Sequence, residues 1–449
     1  MKNITHIHPG ELPDFWNRSV IFFSNIESVV FGNIEELEKL ESEVKGFEAF
    51  GGRLISVLNL IFNGRPNLLV LEKASDQSIF NYYKDTLKLS MPELLIIDHE
   101  IYHSINSDDK AINENKNVKK LREMLSSHPA KWVDGFITDN SLMNWAEKFN
   151  KTCINSSQAC YDANNKMELH YYLLEKELPV IDTEVAASIE HIHYCLENLL
   201  ENGYKKAVVK SQFGASGVGM ITLDTDIRKV EIPDYMFYEG PCLVQGWLMK
   251  GEGDIKKIYS PSVQLFVDEK SVSLFDITEQ ILGEDSLHEG NIAIPPYLDK
   301  YEGLKEELLR QAEIVAKWVQ SKNYRGPGST DFIVAIKEDG FEVIVCEVNA
   351  RFTGATYPSV LSRHFMPKGG WLLRNININE PLNGKELLNL IDEEGILFKP
   401  GESEGFLPVN FNLDDKGYVD RGQFLYLAEN AKKCVAGMEK YCKHLPFEF

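Results

Sequence analysis

Asp331-Phe-Ile-Val-Ala-Ile-Lys-Glu-Asp-Gly340-Phe-Glu-Val-Ile-Val-Cys-Glu347-Val-Asn349-Ala-Arg351 is the stretch on which the reading of this chain turns. Two apolar runs, Phe332 to Ile336 and Phe341 to Val345, flank Glu338-Asp339-Gly340, so the segment predicts a β-hairpin. With a three-residue turn and Gly340 left-handed, Lys337 pairs with Phe341, and Asp331 falls opposite Glu347. The period of two puts Asn349 on the same face. Two carboxylates and an amide oxygen at one end of a hairpin are hard oxygen ligands, suited to a Mg²⁺ ion bridging polyphosphate oxygens. Arg351, two residues on, is placed to hold a transferred phosphoryl group. The competing reading, a charged strand end in solvent, is opposed by the apolar flanks.

Upstream, Lys205 to Lys210 and Gly219 to Asp224 read as two short strands joined by Ser211-Gln-Phe-Gly214-Ala-Ser216-Gly217-Val-Gly219. Three glycines and two serines in nine residues let backbone amides approach an anion, and Lys210 stands where an ammonium suits a phosphate. The loop lacks the Gly-Lys-Ser/Thr ending of a Walker A sequence, and its G-x-x-G-x-G spacing differs from the dinucleotide fingerprint. A strand follows it, where both of those motifs need a helix. Taken alone, the loop is equally a plain hairpin turn. Between loop and hairpin, Cys242 to Met249 reads as an apolar strand opening into Lys250-Gly-Glu252-Gly-Asp254. Such a strand offers backbone groups and Leu248 to an adenine ring and an acid to ribose hydroxyls; an ordinary core strand explains it as well.

Around these segments the chain reads as α/β. The first third alternates apolar runs (Val20 to Phe23, Asn67 to Leu71, Leu94 to Asp98, Trp132 to Thr138) with helix-like stretches, as a parallel sheet with crossover helices does. Ile34, Leu37, Leu40, Val44 and Phe47 recur at helical spacing behind a capping Asn33, a helix read as scaffold. Ser107 to Asn117 reads as an exposed loop. Val263 to Val267 and Val272 to Ile277 predict an antiparallel pair, and Glu302 to Gln320 a helix. His191 and His193 do not share a helix face as a metal pair would.

Composition bounds the function. With 449 residues and 43% apolar content the chain holds two or three domains. A net charge of −21 opposes nucleic acid and anionic membranes. Seven scattered cysteines without a C-x-x-C pair suggest neither a disulfide framework nor a thiolate zinc site, and no apolar run reaches membrane-spanning length. A cytoplasmic location is the expectation. No G-x-S-x-G elbow or local cysteine pattern supports a hydrolase.

In order along the chain, Lys166, Lys210, the small-residue loop, the apolar strand, Asp331 and Glu347-x-Asn349-x-Arg351 resemble the ATP-grasp superfamily of carboxylate-amine ligases. Ser260-Pro-Ser-Val-Gln264, Asp276-Ile-Thr-Glu-Gln280-Ile-Leu-Gly283 and Gly354-Ala-Thr356-Tyr-Pro358 are further similar to the pheganomycin-type peptide ligases. The resemblance implies an N-terminal parallel α/β domain (1–165), an ATP-grasp lid with the glycine-rich loop (166–248), a core with the magnesium site (249–373), and a C-terminal part of that core or extension (374–449). It implies ATP and Mg²⁺ as cofactors, and a reaction in which a carboxylate attacks the γ-phosphate and an amine captures the acyl phosphate. Lys166 and Lys210 would contact phosphates, and Gly214, Ser216, Gly217 and Gly219 would cover them. Gln245 to Leu248 would line the adenine, with Glu252 toward the ribose. Asp331, Glu347 and Asn349 would hold magnesium, and Arg351 with Lys210 would be catalytic. Partners would be a small carboxylate and an amine or peptide, with a homodimer left open. Gln245-Gly246 depart from the usual acidic pair, and Thr278 and Tyr357 stand where histidines are expected, which leaves the substrates undefined. A nucleotide-binding protein without catalysis and a phosphotransferase stopping at a phosphorylated product are the alternatives.

Overall fold

The computed structural model describes residues 4–43, 47–97, 116–282 and 288–448. After β1 (Ile4–Ile7) come β2 (Val20–Phe23), α1 (Ile34–Glu43), β3 (Leu68–Leu71), β4 (Glu93–Ile96), α2 (Lys116–Ser127), β5 (Trp132–Gly135), α3 (Asn140–Lys148) and β6 (Thr152–Cys153). Strands β4-β3-β2-β5-β6 form a five-stranded sheet with parallel neighbours throughout, as the apolar runs predict. β2 and β3 are buried along their whole length, as strands covered on both faces must be. Asn33 does cap α1, accepting from the Glu36 amide at 3.2 Å. The helix is described as far as Glu43 and Val44 lies outside the described residues, while Phe47, the end of the predicted period, lies in a 3₁₀ segment, Phe47–Leu54. Most of the loop expected from Ser107 also lies outside the described residues. Its last two residues, Lys116 and Asn117, instead open α2, which Val118, Leu121 and Leu125 bury.

Next come α4 (Ser157–Asn164), α5 (Lys166–Glu175), β7 (Thr183–Ala186), α6 (Ile189–Glu201), β8 (Lys206–Lys210), β9 (Met220–Asp224) and β10 (Cys242–Gly246). β7-β10-β8-β9 is an antiparallel sheet with its own core, in which Ile192, Cys195 and Leu199 of α6 pack on Val209 and Val244. β8 and β9 are the predicted strand–loop–strand, in register from Lys206 opposite Asp224 to Lys210 opposite Met220.

The remaining elements are β11 (Lys257–Tyr259), β12 (Pro261–Val267), β13 (Ser271–Leu282), β14 (His288–Ala293), α7 (Leu304–Ser321), β15 (Gly326–Lys337), β16 (Gly340–Asn349), α8 (Thr356–Phe365), β17 (Gly370–Ile378), α9 (Gly384–Glu393), β18 (Gly405–Leu413), β19 (Val419–Ala428), α10 (Ala431–Tyr441) and β20 (Phe447–Glu448). All these strands join β1 in an eleven-stranded sheet, so the segment after residue 373 continues the sheet that carries the hairpin. Three contacts tie the N-terminal unit to this sheet. The Trp16 indole donates to Asp268 Oδ1 at 2.8 Å, Tyr83 Oη donates to the Val409 carbonyl at 2.6 Å, and Tyr82 Oη to the Phe398 carbonyl at 2.7 Å.

The hairpin corrects one expectation. Lys337 pairs with Gly340, not Phe341, so the turn holds two residues. That register would set Asp331 opposite Cys346 and turn Glu347 to the other face, because a slip of one residue exchanges the faces of a strand. A bulge between Asp331 and Phe332 absorbs the difference, and Asp331 does stand opposite Glu347, with Ser329 opposite Asn349.

Candidate active site

On one face of the large sheet, two rows of polar residues cross four strands. Thr278, Ser262, Asp331 and Glu347 are consecutive register partners on β13, β12, β15 and β16, and Asp276, Gln264, Ser329 and Asn349 form the parallel row two residues along. Six of these eight side chains are buried and the two carboxylates Asp331 and Glu347 are half-buried, so each needs a partner. Asp331 Oδ1 accepts from Ser262 Oγ at 2.6 Å and Ser329 Oγ at 3.1 Å, and its Oδ2 accepts from Asn349 Nδ2 at 2.8 Å. The Arg351 guanidinium donates to Asn349 Oδ1. Burial first, then the charge of Glu347, pushes the Asp331 carboxyl up to about 6. Hard oxygens from two carboxylates and an amide, crowded enough to raise one of the acids, suit a divalent cation.

Two lysines face this floor, from α5 and β8. Lys166, the first residue of α5, is held there by the Asn165 cap and by its own amide, which donates to the Gln212 carbonyl at 3.0 Å. Its ammonium pairs with Glu347 Oε1 at 3.4 Å and is almost wholly buried. Lys210 ends β8, and its Nζ donates to Gln245 Oε1 at 2.8 Å and lies 3.8 Å from Cys346 Sγ. Both lysines and Gln245 border a cleft whose apolar walls are Leu169, Leu173, Val180, Leu243 and Val345. A second hollow, lined by Gly214, Glu347, Asn349 and Arg351, adjoins the glycine-rich loop.

That loop needs its glycines. Gly214, Gly217 and Gly219 have φ of 131°, 85° and 76°, and Ser216 is also left-handed at 54°. Ser216 and Gly217 are exposed at the tip. At the base, a Cβ on Gly219 would meet Ser211 Oγ at 2.4 Å. Ser211 Oγ lies 2.5 Å from the Phe213 carbonyl and 3.1 Å from Glu36 Oε1. Glu36 belongs to α1 and is fully buried, which raises its carboxyl to about 7. The helix read as scaffold therefore also braces the loop.

The structure thus gathers Lys166, Lys210, Gln245, Gly214, Asp331, Glu347, Asn349 and Arg351. Other expected residues line neither hollow: Ser216, Gly217 and Gly219 of the loop, Leu248, half-buried beyond the end of β10, and Glu252, which pairs with Lys205 at 3.3 Å. The cleft's apolar walls were missed by the sequence reading. Leu169, His170 and Leu173 sit three, four and seven residues after Lys166, the spacing of one helix face, and that signal was available.

No family model matches the chain. Over 306 residues, 66% of its length, it is 23% identical to the [Butirosin acyl-carrier protein]–L-glutamate ligase of Niallia circulans, and the match covers 64% of that relative. The N5-carboxyaminoimidazole synthetase of Staphylococcus aureus, solved with ADP, superposes with a TM-score of 0.52 at 12% identity, over 96% of this chain and 98% of that one. The chain has the ATP-grasp fold. The biotin carboxylase of Campylobacter jejuni, in its β,γ-ATP complex, agrees at a TM-score of 0.56 and 13% identity over 96% and 92% of the two chains. Among the described residues, no helix is long and apolar enough to cross a membrane.

Proposed function

We propose that the protein is an ATP-dependent carboxylate-amine ligase working through an acyl phosphate. The observation that carries this reading is the half-buried pair Asp331–Glu347 with Asn349 and Arg351, faced by Lys166 and Lys210 across a cleft with apolar walls. The cleft suits an adenine, the two ammoniums its phosphates, and the loop from Gly214 to Gly219 a backbone cover over them. Asp331, Glu347 and Asn349 would hold Mg²⁺, which supplies neutralisation of polyphosphate charge.

The reaction then proceeds in two displacements. A substrate carboxylate oxygen attacks the γ-phosphorus, the bond to the β-phosphate oxygen breaks, and ADP leaves. The amine nitrogen attacks the acyl carbon and loses a proton, and inorganic phosphate departs with the acyl oxygen. Arg351 is placed to hold the acyl phosphate, and Lys210 to neutralise charge on the transferred group. No protein nucleophile is needed. The Cys346 thiol beside Lys210 is raised by burial, which suits packing rather than nucleophilic attack.

The match to a ligase whose name joins L-glutamate to an acyl-carrier protein supports an amino acid as one substrate and adds a carrier-borne acceptor to the candidates. Seven free thiols accord with a reducing, cytoplasmic setting. The test is magnesium-dependent ADP release across amino acids, short peptides and a loaded carrier, singly and in pairs, with mass spectrometry and Glu347→Ala as control. Release that requires two substrates, yields a condensed product and vanishes in the control is expected. A phosphorylated carboxylate as the final product would instead establish a phosphotransferase, and nucleotide binding without turnover across the panel would favour a binding protein.

A further inference from the structure

Arginines inside this acidic protein are generally answered by acids. Arg363 is fully buried against Asp276, at 2.7 Å, and Arg351 lies in the field of Glu347 and Asp331. Arg53 is not so answered. It closes the 3₁₀ segment Phe47–Leu54, which the chain brings tight against β18: a Cβ on Gly52 would meet Asn410 Oδ1 at 2.9 Å. Its guanidinium lies over the Phe50 ring at 3.9 Å and 5.9 Å from the centre of the Tyr357 ring, while its Nε is buried without a hydrogen-bond partner. No carboxylate among the described residues forms an ion pair with it, and the nearest charge of consequence is another cation, Arg421.

Arg421 faces the same region. It lies two residues before Gln423 on β19, so the two side chains share a face of the sheet. Gln423 Oε1 accepts from the Tyr357 hydroxyl at 3.0 Å, and its Nε2 donates to Asn375 Oδ1 at 2.7 Å. Arg421 is half-buried and also has no ion pair among the described residues. Burying one guanidinium and drawing a second toward it, with no acid between them, costs free energy that an anion would recover. Arg53 lies two residues after Gly51, which packs on Ser24 and Leu71 at the C-terminal ends of β2 and β3, the side of the parallel sheet where α/β folds take ligands. Tyr357 is in the first turn of α8, six residues after Arg351, so this cluster and the phosphoryl-handling arginine share one loop and helix.

We propose that Arg53 and Arg421, beside the Tyr357–Gln423 pair, bind the free carboxylate of an amino-acid or peptide substrate, the carboxylate that is not activated. The inference rests on the ligase reading for the word substrate; the anion site itself does not depend on it. A planar guanidinium matches a carboxylate in two-point contact, and a second arginine supplies charge. The free acid is therefore recognised, and its amide is not.

The experiment is calorimetric titration of the full-length protein, with and without MgATP, using the twenty amino acids, dipeptides, their C-terminal amides, and inorganic phosphate as probes. At least one free acid is expected to bind, its amide at least about tenfold more weakly, and the free acid at least about tenfold more weakly to both Arg53→Gln and Arg421→Gln. Circular dichroism of both variants checks the fold, and removing either uncompensated charge is expected to leave it intact. Undiminished binding of the acid to both variants, equal binding of acid and amide, or no binding of any acid overturns the proposal. Binding of inorganic phosphate alone overturns the carboxylate assignment in favour of a phosphorylated ligand. MgATP binding is read in the same titrations, so failure of the ligase reading shows separately, as absence of nucleotide binding.

Discussion

Asp331 shows how a single side chain is set by its neighbours. Burial and the Glu347 charge hold its carboxyl up at about 6, while Ser262 and Ser329 donate to it. A cation needs the ionised acid, so magnesium affinity should fall as pH drops below about 6 and level off above about 7.5. Magnesium titration of ADP release at pH 5.5 and 7.5 checks this, and a pH-independent affinity would contradict it. The site's carboxylates and Arg351 were legible in the sequence because they lie within 21 residues on one hairpin. Lys166 was legible only through a resemblance, since its ammonium reaches Glu347 from a helix far away in sequence. Glu36 was not legible at all: on α1 it is one glutamate among several, and only tertiary packing buries it against Ser211.

At the scale of elements, the glycine-rich loop and the hairpin carry the information differently. The loop's glycines were readable from composition, but which of them is indispensable depends on packing. Gly219 has φ of 76° and Ser211 Oγ 2.4 Å from where its Cβ would be, whereas Gly217, at 85°, faces open space. Gly217→Ala should therefore cost only the left-handed strain, on the order of 1 kcal/mol. Gly219→Ala adds a clash at the loop base and should destabilise by on the order of 2–3 kcal/mol and raise the KM for ATP. Denaturant unfolding and ATP kinetics of the two variants decide the order; equal effects would count against the braced loop. In the hairpin, the face shared by Asp331 and Glu347 was anticipated from a three-residue turn, but it arises from a two-residue turn with a bulge. Turn length is a local signal with several solutions, and the ladder had to be seen to find where the extra residue went.

At the scale of the whole molecule, the parallel sheet, the strand–loop–strand and the long hairpins were legible because apolar runs and turns recur at strand spacing. The joining of the C-terminal strands β17 to β20 into the central sheet was not, since non-local pairing leaves no local pattern. The fold also buries acids across its units: Glu27 is raised to about 8, and Glu36, Asp134 and Glu279 to about 7, each chiefly by burial. Groups whose folded pKa lies above the unfolded value add stability at low pH and lose it as pH rises through the folded value. The ligand-free protein should therefore lose stability between about pH 5 and 8.5, with a Tm several degrees lower at the alkaline end, and Glu27→Gln should flatten that slope. Calorimetry across this range checks it, and a Tm rising with pH would contradict it.

The claim at the centre of the account is that a substrate carboxylate, not a protein group, takes the γ-phosphoryl. Once a productive pair is found, the carboxylate substrate labelled with ¹⁸O in both oxygens is turned over, and the released phosphate is examined by mass spectrometry. The account predicts one ¹⁸O in each inorganic phosphate, delivered when the amine displaces the acyl phosphate, with ADP as the nucleotide product. Unlabelled phosphate, or AMP with pyrophosphate, would contradict it.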